Sequence, residues 1–136
     1  MRVAEVMTPR VFSVLADAPV SAAVEYMADS HVSALAVTDD HGRLLGLVST
    51  SDVLRAASEA GDRAARDQLF EATRVAEIMT ARPLRIGPDA DVRDAARQML
   101  YADVHRLFVE ENGWLVGVIS QTDIVRVLGA GGRVLV

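Results

Sequence analysis

The sequence contains no cysteine, and only 4% of its residues are aromatic. The absence of cysteine excludes disulfide bonds and thiolate metal sites, and it suits a reducing cytoplasm, which is the compartment we expect. No apolar run approaches the roughly 20 residues that a membrane span needs, and the N-terminus lacks the apolar region of a secretory signal. The formal net charge is −5, so we expect neither a membrane nor a nucleic acid as a partner.

Motifs for catalysis are missing as well. Neither Ser49 nor Ser120 lies in a G-x-S-x-G elbow, and the three histidines keep no fixed triad spacing to them. There is no Walker sequence, no G-x-G-x-x-G and no H-E-x-x-H. His41 follows Asp39 and Asp40, but a solvated hairpin turn explains this cluster better than a metal site does. We therefore expect no enzyme, no catalytic residues and no bound metal.

What the sequence does contain is an internal repeat. Residues 3–55 align with residues 75–126 with a single gap at His41, and 20 of the 52 aligned pairs are identical. The gap falls in a turn, where a change of length costs little. We infer two copies of one supersecondary unit. The predicted division is repeat 1 at 1–60, a helical linker at 61–74, repeat 2 at 75–128 and a C-terminal tail at 129–136.

Each copy predicts the same order of elements, β-α-β-β-α, after a short helical turn. Apolar residues at i, i+3, i+4 and i+7 from Val20 and from Val92 predict two amphipathic helices. A hairpin follows each helix, and Asn112-Gly113 favours a tight turn because both residues tolerate positive φ. The last helix of the first copy is expected to break near Gly61 and to continue as the linker.

The closings of the two copies, GLVSTSDV and GVISQTDI, carry the same Ser-x-x-Asp motif between a strand and a helix. We expect the helices to begin at Asp52 and Asp123, with Ser51, Thr122 or the aspartates capping the first turn. Capping alone would explain one such motif. Its recurrence in both copies favours a second role, because a carboxylate at this corner can hold a ribose diol, while nearby hydroxyls and N–H groups can hold phosphate.

The entry to the hairpin differs between the copies, reading VSAL in the first and VHRL in the second. A lone Arg106 at this position is usually a charge on the rim of the fold. Together with His105 and Asp123, however, it is a candidate for phosphate and ribose recognition, since a guanidinium offers a forked set of donors. The first copy has Ser33 and Ala34, which are small and neutral. We therefore expect the Asp123 side to bind an anionic ligand better.

These openings (VAEVMTPR and VAEIMTAR), closings and element order resemble the cystathionine-β-synthase (CBS) domain, here as a tandem pair or Bateman module. VSAL and VHRL are similar to the nucleotide-binding pairs of AMP-activated kinase γ subunits. The resemblance implies a mixed α+β (α/β) fold, in which two β-α-β-β-α repeats pack about a pseudo-two-fold axis and leave two ligand clefts. It also implies a disc-like homodimer.

The function that the resemblance implies is regulation. The module would bind an adenosine-containing nucleotide such as AMP, ADP or ATP and signal to an unidentified protein, with no required cofactor. S-adenosylmethionine, NAD and cyclic dinucleotides are alternative ligands. A structural dimerisation module with empty clefts is the alternative function.

By position, the resemblance implies the residues of two sites. In the better site, Asp123 would contact the ribose hydroxyls, and Arg106 and His105 the phosphate. Val11 and Ile119 would be apolar walls for the base. The complete predicted set for this site is Thr8, Arg10, Val11, Ser33, His105, Arg106, Ile119, Ser120, Thr122 and Asp123. The set for the weaker mirror site is Ser49, Ser51, Asp52, Thr80, Arg82 and Pro83.

Overall fold

The two copies fold into matching sets of elements, and the chain is a mixed α/β protein, as the repeat predicts. The computed structural model describes residues 1–129, so all of the predicted tail except Gly129 lies outside the described residues. The elements of the first copy and the linker are α1 (Val3–Val6), β1 (Ser13–Leu15), α2 (Val20–Ser30), β2 (Ala34–Thr38), β3 (Leu44–Ser49), α3 (Thr50–Glu59) and α4 (Arg63–Ala72). Those of the second copy are α5 (Val75–Ile78), β4 (Thr80–Ala81), β5 (Arg85–Ile86), α6 (Val92–Ala102), β6 (Arg106–Glu111), β7 (Trp114–Ser120) and α7 (Gln121–Leu128).

The compact units of the structure do not coincide with the repeats in the sequence. Unit 1 comprises Met1–Val11 together with the chain from Leu84 onward, and unit 2 comprises Phe12–Pro83. Each copy therefore gives its first helix to the unit that the other copy builds. The helical linker, α4, belongs to unit 2.

Backbone hydrogen bonds attach each exchanged helix to its unit. In unit 1, the N–H of Val3 donates to the carbonyl of Ala90 at 2.8 Å. In unit 2, the N–H of Val75 donates to the carbonyl of Ala18, also at 2.8 Å. Both valines are fully buried, each in the apolar core of the unit that receives it. The exchanged helices therefore contribute buried residues to both apolar cores.

Each unit has its own sheet. The strand order is β1-β2-β3-β4 in unit 2 and β5-β6-β7 in unit 1. The first two strands of each sheet are parallel, and the hairpins β2-β3 and β6-β7 are antiparallel. Asn112 and Gly113, at the turn of the second hairpin, have φ values of 54° and 87°. The predicted tight turn is therefore confirmed.

The Asp39–His41 cluster forms the turn of the first hairpin. Asp39 Oδ1 accepts the backbone N–H groups of His41 and Arg43, both at 2.9 Å. These bonds, chiefly the one from Arg43, hold the pKa of Asp39 below its ordinary value. The carboxylate thus serves the turn, and the interpretation of the cluster as a turn is confirmed. Residues 1–129 hold no group of three or more side chains placed to bind a metal ion.

The predicted helical stripes form the cores. In unit 2, α2 buries its apolar stripe against the sheet and α5, and in unit 1 α6 does the same with α1 and α7. The buried residues of the two stripes are Val20, Ala23 and Met27 in α2 and Val92, Ala95 and Met99 in α6. Since both sets recur at the same positions of the repeat, the two cores are built on one plan.

The helix that follows β3 is broken where the sequence predicts. α3 ends at Glu59 and α4 begins at Arg63, so Gly61 lies in the break. α4 then packs on α2 and buries Leu69. Among residues 1–129 the longest helices have 11 residues, and none is long and apolar enough to cross a membrane.

Candidate functional site

A glycine in β7 brings the segment after α1 against the end of this strand. A Cβ added to Gly117 would lie 2.7 Å from Met7 Sδ and 3.0 Å from the carbonyl oxygen of Thr8. Thr8 also exchanges both backbone hydrogen bonds with Val118, at 2.8 and 3.0 Å. A side chain at Gly117 would push this segment away. The glycine of the closing motif therefore places Thr8 beside the strand end that carries Ser120.

Gly46 does the same in β3 of unit 2. A Cβ added there would lie 2.6 Å from Met79 Sδ and 2.7 Å from the carbonyl oxygen of Thr80. The segment continues as β4, in which Thr80 pairs with Leu47 and Ala81 pairs with Gly46. Because the backbone of Thr80 is held by this strand pairing, the direction of its side chain is held as well.

The Ser-x-x-Asp motif of the second copy is a capping box. Ser120 is the N-cap of α7, and its Oγ accepts the N–H of Asp123 at 3.1 Å. In return, Asp123 Oδ2 accepts the N–H of Ser120 at 2.9 Å. The helix begins at Gln121, two residues before the predicted start, and Thr122 is not the cap. The spacing of serine and aspartate is the signal that identifies the true cap.

The first copy repeats this arrangement. Ser49 is the N-cap of α3, its Oγ accepts the N–H of Asp52 at 3.3 Å, and Asp52 Oδ2 accepts the N–H of Ser49 at 2.9 Å. α3 begins at Thr50, so the predicted start at the aspartate was wrong here too. Ser51 is exposed and does not cap the helix.

The two aspartates differ in how many donors they already hold. Asp52 Oδ2 accepts from the N–H of Ser49 and from its Oγ at 3.1 Å. Asp52 Oδ1 accepts from Arg55 Nη1 and from Thr80 Oγ1, both at 3.3 Å. An ionised carboxylate offers about four acceptor positions. The side chain is 5% exposed, so Asp52 is both buried and fully occupied by its own unit.

Asp123 holds fewer donors. Its Oδ2 accepts the N–H of Ser120, and its Oδ1 lies 3.6 Å from Arg126 Nη1. No other donor in the described part of the chain reaches this carboxylate, so about two of its acceptor positions are open. The side chain is 13% exposed. The hydroxyl of Thr8, the counterpart of Thr80, makes no hydrogen bond within residues 1–129.

An arginine lies opposite the serine that caps α7. Arg106 in β6 pairs with Ser120 in β7, so their side chains share one face of the sheet at short range. Arg106 is half-buried, and its guanidinium has no ion pair or hydrogen bond among residues 1–129. At the equivalent pair of unit 2, Ala34 faces Ser49. Only unit 1 therefore offers a guanidinium at this position.

Three further predicted residues lie in unit 1. Arg10 is exposed and makes no ion pair in the range 1–129, and Val11 is half-buried at the end of the exchanged segment. His105 is exposed, and its Nδ1 lies 3.4 Å from Gln121 Oε1, while Gln121 Nε2 donates to the carbonyl of Val104 at 3.2 Å. His105 is thus oriented by the first residue of α7.

Ile119 is misplaced as a wall of the ligand pocket. Its side chain is fully buried in the core of unit 1, together with Leu107. Side chains alternate along a strand, so the face that carries Ser120 and Arg106 also carries Val118 and not Ile119. Val118 is half-buried and is an apolar residue of that face that the prediction did not include. Because every second side chain of a strand lies on the same face, the position of Ser120 in the sequence identifies Val118.

The remaining predicted residues lie in unit 2. Ser33 belongs to this unit and not to the unit that holds Asp123; its carbonyl accepts the N–H of Thr50 at 2.9 Å. Arg82 is exposed and has a φ of 57°, an uncommon conformation for a residue with a side chain. Pro83 is half-buried and ends the unit.

Two groupings result, and each is contained in one unit. We use the name Asp123 half-site for the predicted residues that lie in unit 1, with Val118 in place of Ile119: Thr8, Arg10, Val11, His105, Arg106, Val118, Ser120, Thr122 and Asp123. The Asp52 half-site consists of Ser49, Ser51, Asp52, Thr80, Arg82 and Pro83. The prediction also overlooked Arg55 and Arg126, which follow the aspartates by three residues in both copies and contact them.

The Asp123 half-site presents groups that can bind a ligand. It combines carboxylate acceptors, a free guanidinium and exposed hydroxyls, which suit a diol and a phosphate. Within residues 1–129, no hydrogen bond joins a serine or threonine hydroxyl to a histidine, so the pairing that activates a nucleophile is not formed there.

Solved structures share this fold. The crystal structure of an acetoin utilization protein (AcuB) from Vibrio cholerae matches with a TM-score of 0.80 and 26% identity, over 94% of this chain and 90% of that one. The crystal structure of CBSX2 in complex with AMP matches with a TM-score of 0.80 and 29% identity, over 97% of this chain and 98% of that one.

Sequence comparison agrees with the structures. The chain is 31% identical over 116 residues to the 5'-AMP-activated protein kinase subunit gamma-3 of Sus scrofa. The aligned residues make up 85% of this chain and 23% of that relative. It spans less than half the length of the first curated relatives that it matches. The family model of the CBS domain matches residues 3–59 and 75–130. The chain therefore belongs to the CBS domain family and carries two copies of the domain.

Proposed function

We propose that this protein is a regulatory module that binds an adenosine-containing nucleotide at the Asp123 half-site and reports its occupancy to a partner protein. One observation carries the proposal. Among residues 1–129, the carboxylate of Asp123 keeps open acceptor positions, and the guanidinium of Arg106, which lies opposite the capping serine of the same helix, has no partner. The first group suits the two hydroxyls of a ribose, and the second suits a phosphate.

Relatives support this choice of ligand. CBSX2, at 29% identity over nearly the whole chain, has been crystallised with AMP. The kinase subunit at 31% identity is named for activation by AMP. AMP, ADP and ATP share the ribose and phosphate that the half-site is equipped to hold. NAD carries the same diol and phosphate on its adenosine half, S-adenosylmethionine carries the diol without a phosphate, and a cyclic dinucleotide lacks the free diol.

Signalling requires that the nucleotide favours one conformation of the module over another. We propose that the module forms a homodimer in the cytoplasm. The regulated partner would bind this homodimer and distinguish its nucleotide-bound conformation from the free one. The dimer would form through the α6/α7 surface of unit 1, defined by Leu100, Tyr101, Val125 and Leu128. Their exposed fractions are 76%, 95%, 65% and 79%.

The α6/α7 surface has the properties of an isologous interface. It combines protruding apolar side chains with a groove of about 230 Å³ that Met99, Ile124 and Leu128 help to line. An isologous contact needs a projection and a recess on the same patch. The equivalent face of unit 2 is partly covered by α4, whose Phe70 lines the groove between α2 and α3. A second copy of unit 1 is thus the occupant that we propose.

A structural module without a ligand is the second candidate function. Its supporting observation is that both aspartates complete capping boxes, a role that needs no nucleotide. Isothermal titration of the whole chain with AMP, adenosine, S-adenosylmethionine and NAD separates the two functions. We expect AMP to bind more tightly than adenosine, because only AMP can use Arg106. If no ligand produces heat or thermal stabilisation at saturating concentration, the structural function is correct.

A further inference from the structure

Thr80 occupies the last acceptor position of Asp52. Its Oγ1 donates to Asp52 Oδ1 at 3.3 Å, and the other three donors are the backbone and hydroxyl of Ser49 and the guanidinium of Arg55. The first two belong to the capping box, and Arg55 is on the same helix. Thr80 is the one donor that comes from a distant part of the chain, the exchanged segment after α5.

The backbone of Thr80 is fixed by its strand pairing, although its side chain is exposed. Thr80 pairs with Leu47 across β3 and β4, and its carbonyl oxygen lies against Gly46 so closely that no Cβ would fit. A ribose diol that binds Asp52 Oδ1 must displace this hydroxyl or the guanidinium of Arg55, which both donate to that oxygen at 3.3 Å. Asp52 is nearly inaccessible as it stands, with 5% of its side chain exposed.

We propose that Thr80 is a latch that keeps the Asp52 half-site closed to a nucleoside. The two half-sites then fill in order, that of Asp123 first and that of Asp52 only at higher ligand concentration. This inference rests on the proposed function, since it concerns how the second half-site responds to the same class of ligand. Thr80 thereby lowers the affinity of the Asp52 half-site for the ligand, a role that its counterpart, Thr8, does not have in the Asp123 half-site.

Thr8 provides the internal contrast. It pairs with Val118 as Thr80 pairs with Leu47, and Gly117 approaches it as Gly46 approaches Thr80. Yet within residues 1–129 the hydroxyl of Thr8 makes no hydrogen bond to Asp123, which keeps open acceptor positions. The same scaffold is thus latched in one unit and unlatched in the other.

The test uses adenosine, which reports on the ribose contact without a phosphate. Binding is measured by isothermal titration in an Asp123→Asn background, which removes the unlatched half-site. Adding Thr80→Val is expected to tighten adenosine binding about tenfold, since one hydrogen bond to a charged acceptor no longer competes. Thr80→Ser, which keeps the hydroxyl, should change nothing. Thr80→Ala is a second variant should the valine perturb folding.

Two controls make the result specific. The gain must vanish with 2',3'-dideoxyadenosine, which lacks both hydroxyls. Thr8→Val in an Asp52→Asn background must give no gain, because Thr8 does not hold Asp123. Unchanged or weaker adenosine binding after Thr80→Val and Thr80→Ala would overturn the latch and make Thr80 a ligand contact or a bystander. If wild type binds AMP and these results fail, the latch alone is wrong; if no protein binds any nucleoside or AMP, the proposed function fails with it.

Discussion

Asp52 and Asp123 occupy the same position of a duplicated motif, yet only one has acceptor positions to spare. Asp52 accepts four hydrogen bonds from its own unit, whereas in the described part of the chain Asp123 accepts one and lies 3.6 Å from Arg126 Nη1. Opposite the capping serine of α7 is Arg106, which has no partner among residues 1–129, whereas the other unit has Ala34 at this position. Both units keep the capping box and the strand pairing as a common scaffold. The surrounding side chains then decide whether the carboxylate is structural or available.

The strongest change in affinity is expected when each aspartate in turn is replaced by asparagine. Asp123→Asn should weaken AMP binding by about 3 kcal/mol, because the amide keeps a single, uncharged acceptor oxygen, so one charge-assisted bond to the ribose diol is lost and the other is weakened. Asp52→Asn should leave the affinity of the first site unchanged. Titration calorimetry measures both. Equal losses in the two variants would mean that the half-sites are equivalent and that the count of open acceptors is irrelevant.

The second test compares the outer helical faces of the units. Leu128→Glu should weaken self-association by about 3 kcal/mol, since each of two copies would lose the burial of a leucine at the interface. Leu54→Glu is the matched control, because Leu54 is also exposed but lies on unit 2 beside α4. Sedimentation equilibrium gives both association constants. A monomeric wild type, or a dimer that only Leu54→Glu dissociates, would contradict the proposed interface.

A third test removes the charge that distinguishes the half-sites. Arg106→Ala should weaken AMP binding by about 1.5–3 kcal/mol, the usual value of a hydrogen bond to a charged group, while adenosine binding stays the same. Arg97→Ala is the control, since Arg97 is an exposed arginine of the same unit that is paired with Asp94. If Arg106→Ala weakens adenosine as much as AMP, the arginine supports the fold and does not contact phosphate.

The smallest expected effect concerns the capping serines. Ser49→Ala and Ser120→Ala should each lower the free energy of unfolding by about 1 kcal/mol, because an N-cap bond is lost. The loss should be larger for Ser49, whose Oγ also donates to Asp52 at 3.1 Å. Urea unfolding of both variants provides the comparison. A greater loss for Ser120→Ala would show that the additional bond at Ser49 has no net value.

Much of the fold follows from the sequence because its signals are local. Helical stripes, the Asn112-Gly113 turn and the break at Gly61 depend on nearby residues and were predicted correctly. The exchange of first helices was not predicted. VAEVM and VAEIM are nearly identical four-to-five-residue segments, so nothing local states which core receives Val3 and which receives Val75. Tertiary packing alone makes that choice.

The half-sites were predictable to a similar degree. The repeat revealed the Ser-x-x-Asp motif in both copies and Arg106 in the second copy alone. The number of donors on each aspartate was not, because Thr80 reaches Asp52 from 28 residues away and Thr8 does not reach Asp123. Two errors were avoidable from rules of spacing: the capping serine lies three residues before the aspartate, and Ile119 alternates away from the face of Ser120.

Because the first helices are exchanged, the backbone passes between the units twice, at Val11–Phe12 and at Pro83–Leu84. A gene fragment that encodes residues 1–60 would lack Val75, which completes the core of unit 2. A fragment that begins at residue 75 would lack Val3, which completes the core of unit 1. The duplicated segment is thus not a segment that can fold alone. Cut at Gly61, the chain would behave as a split protein whose two fragments fold only by complementing each other.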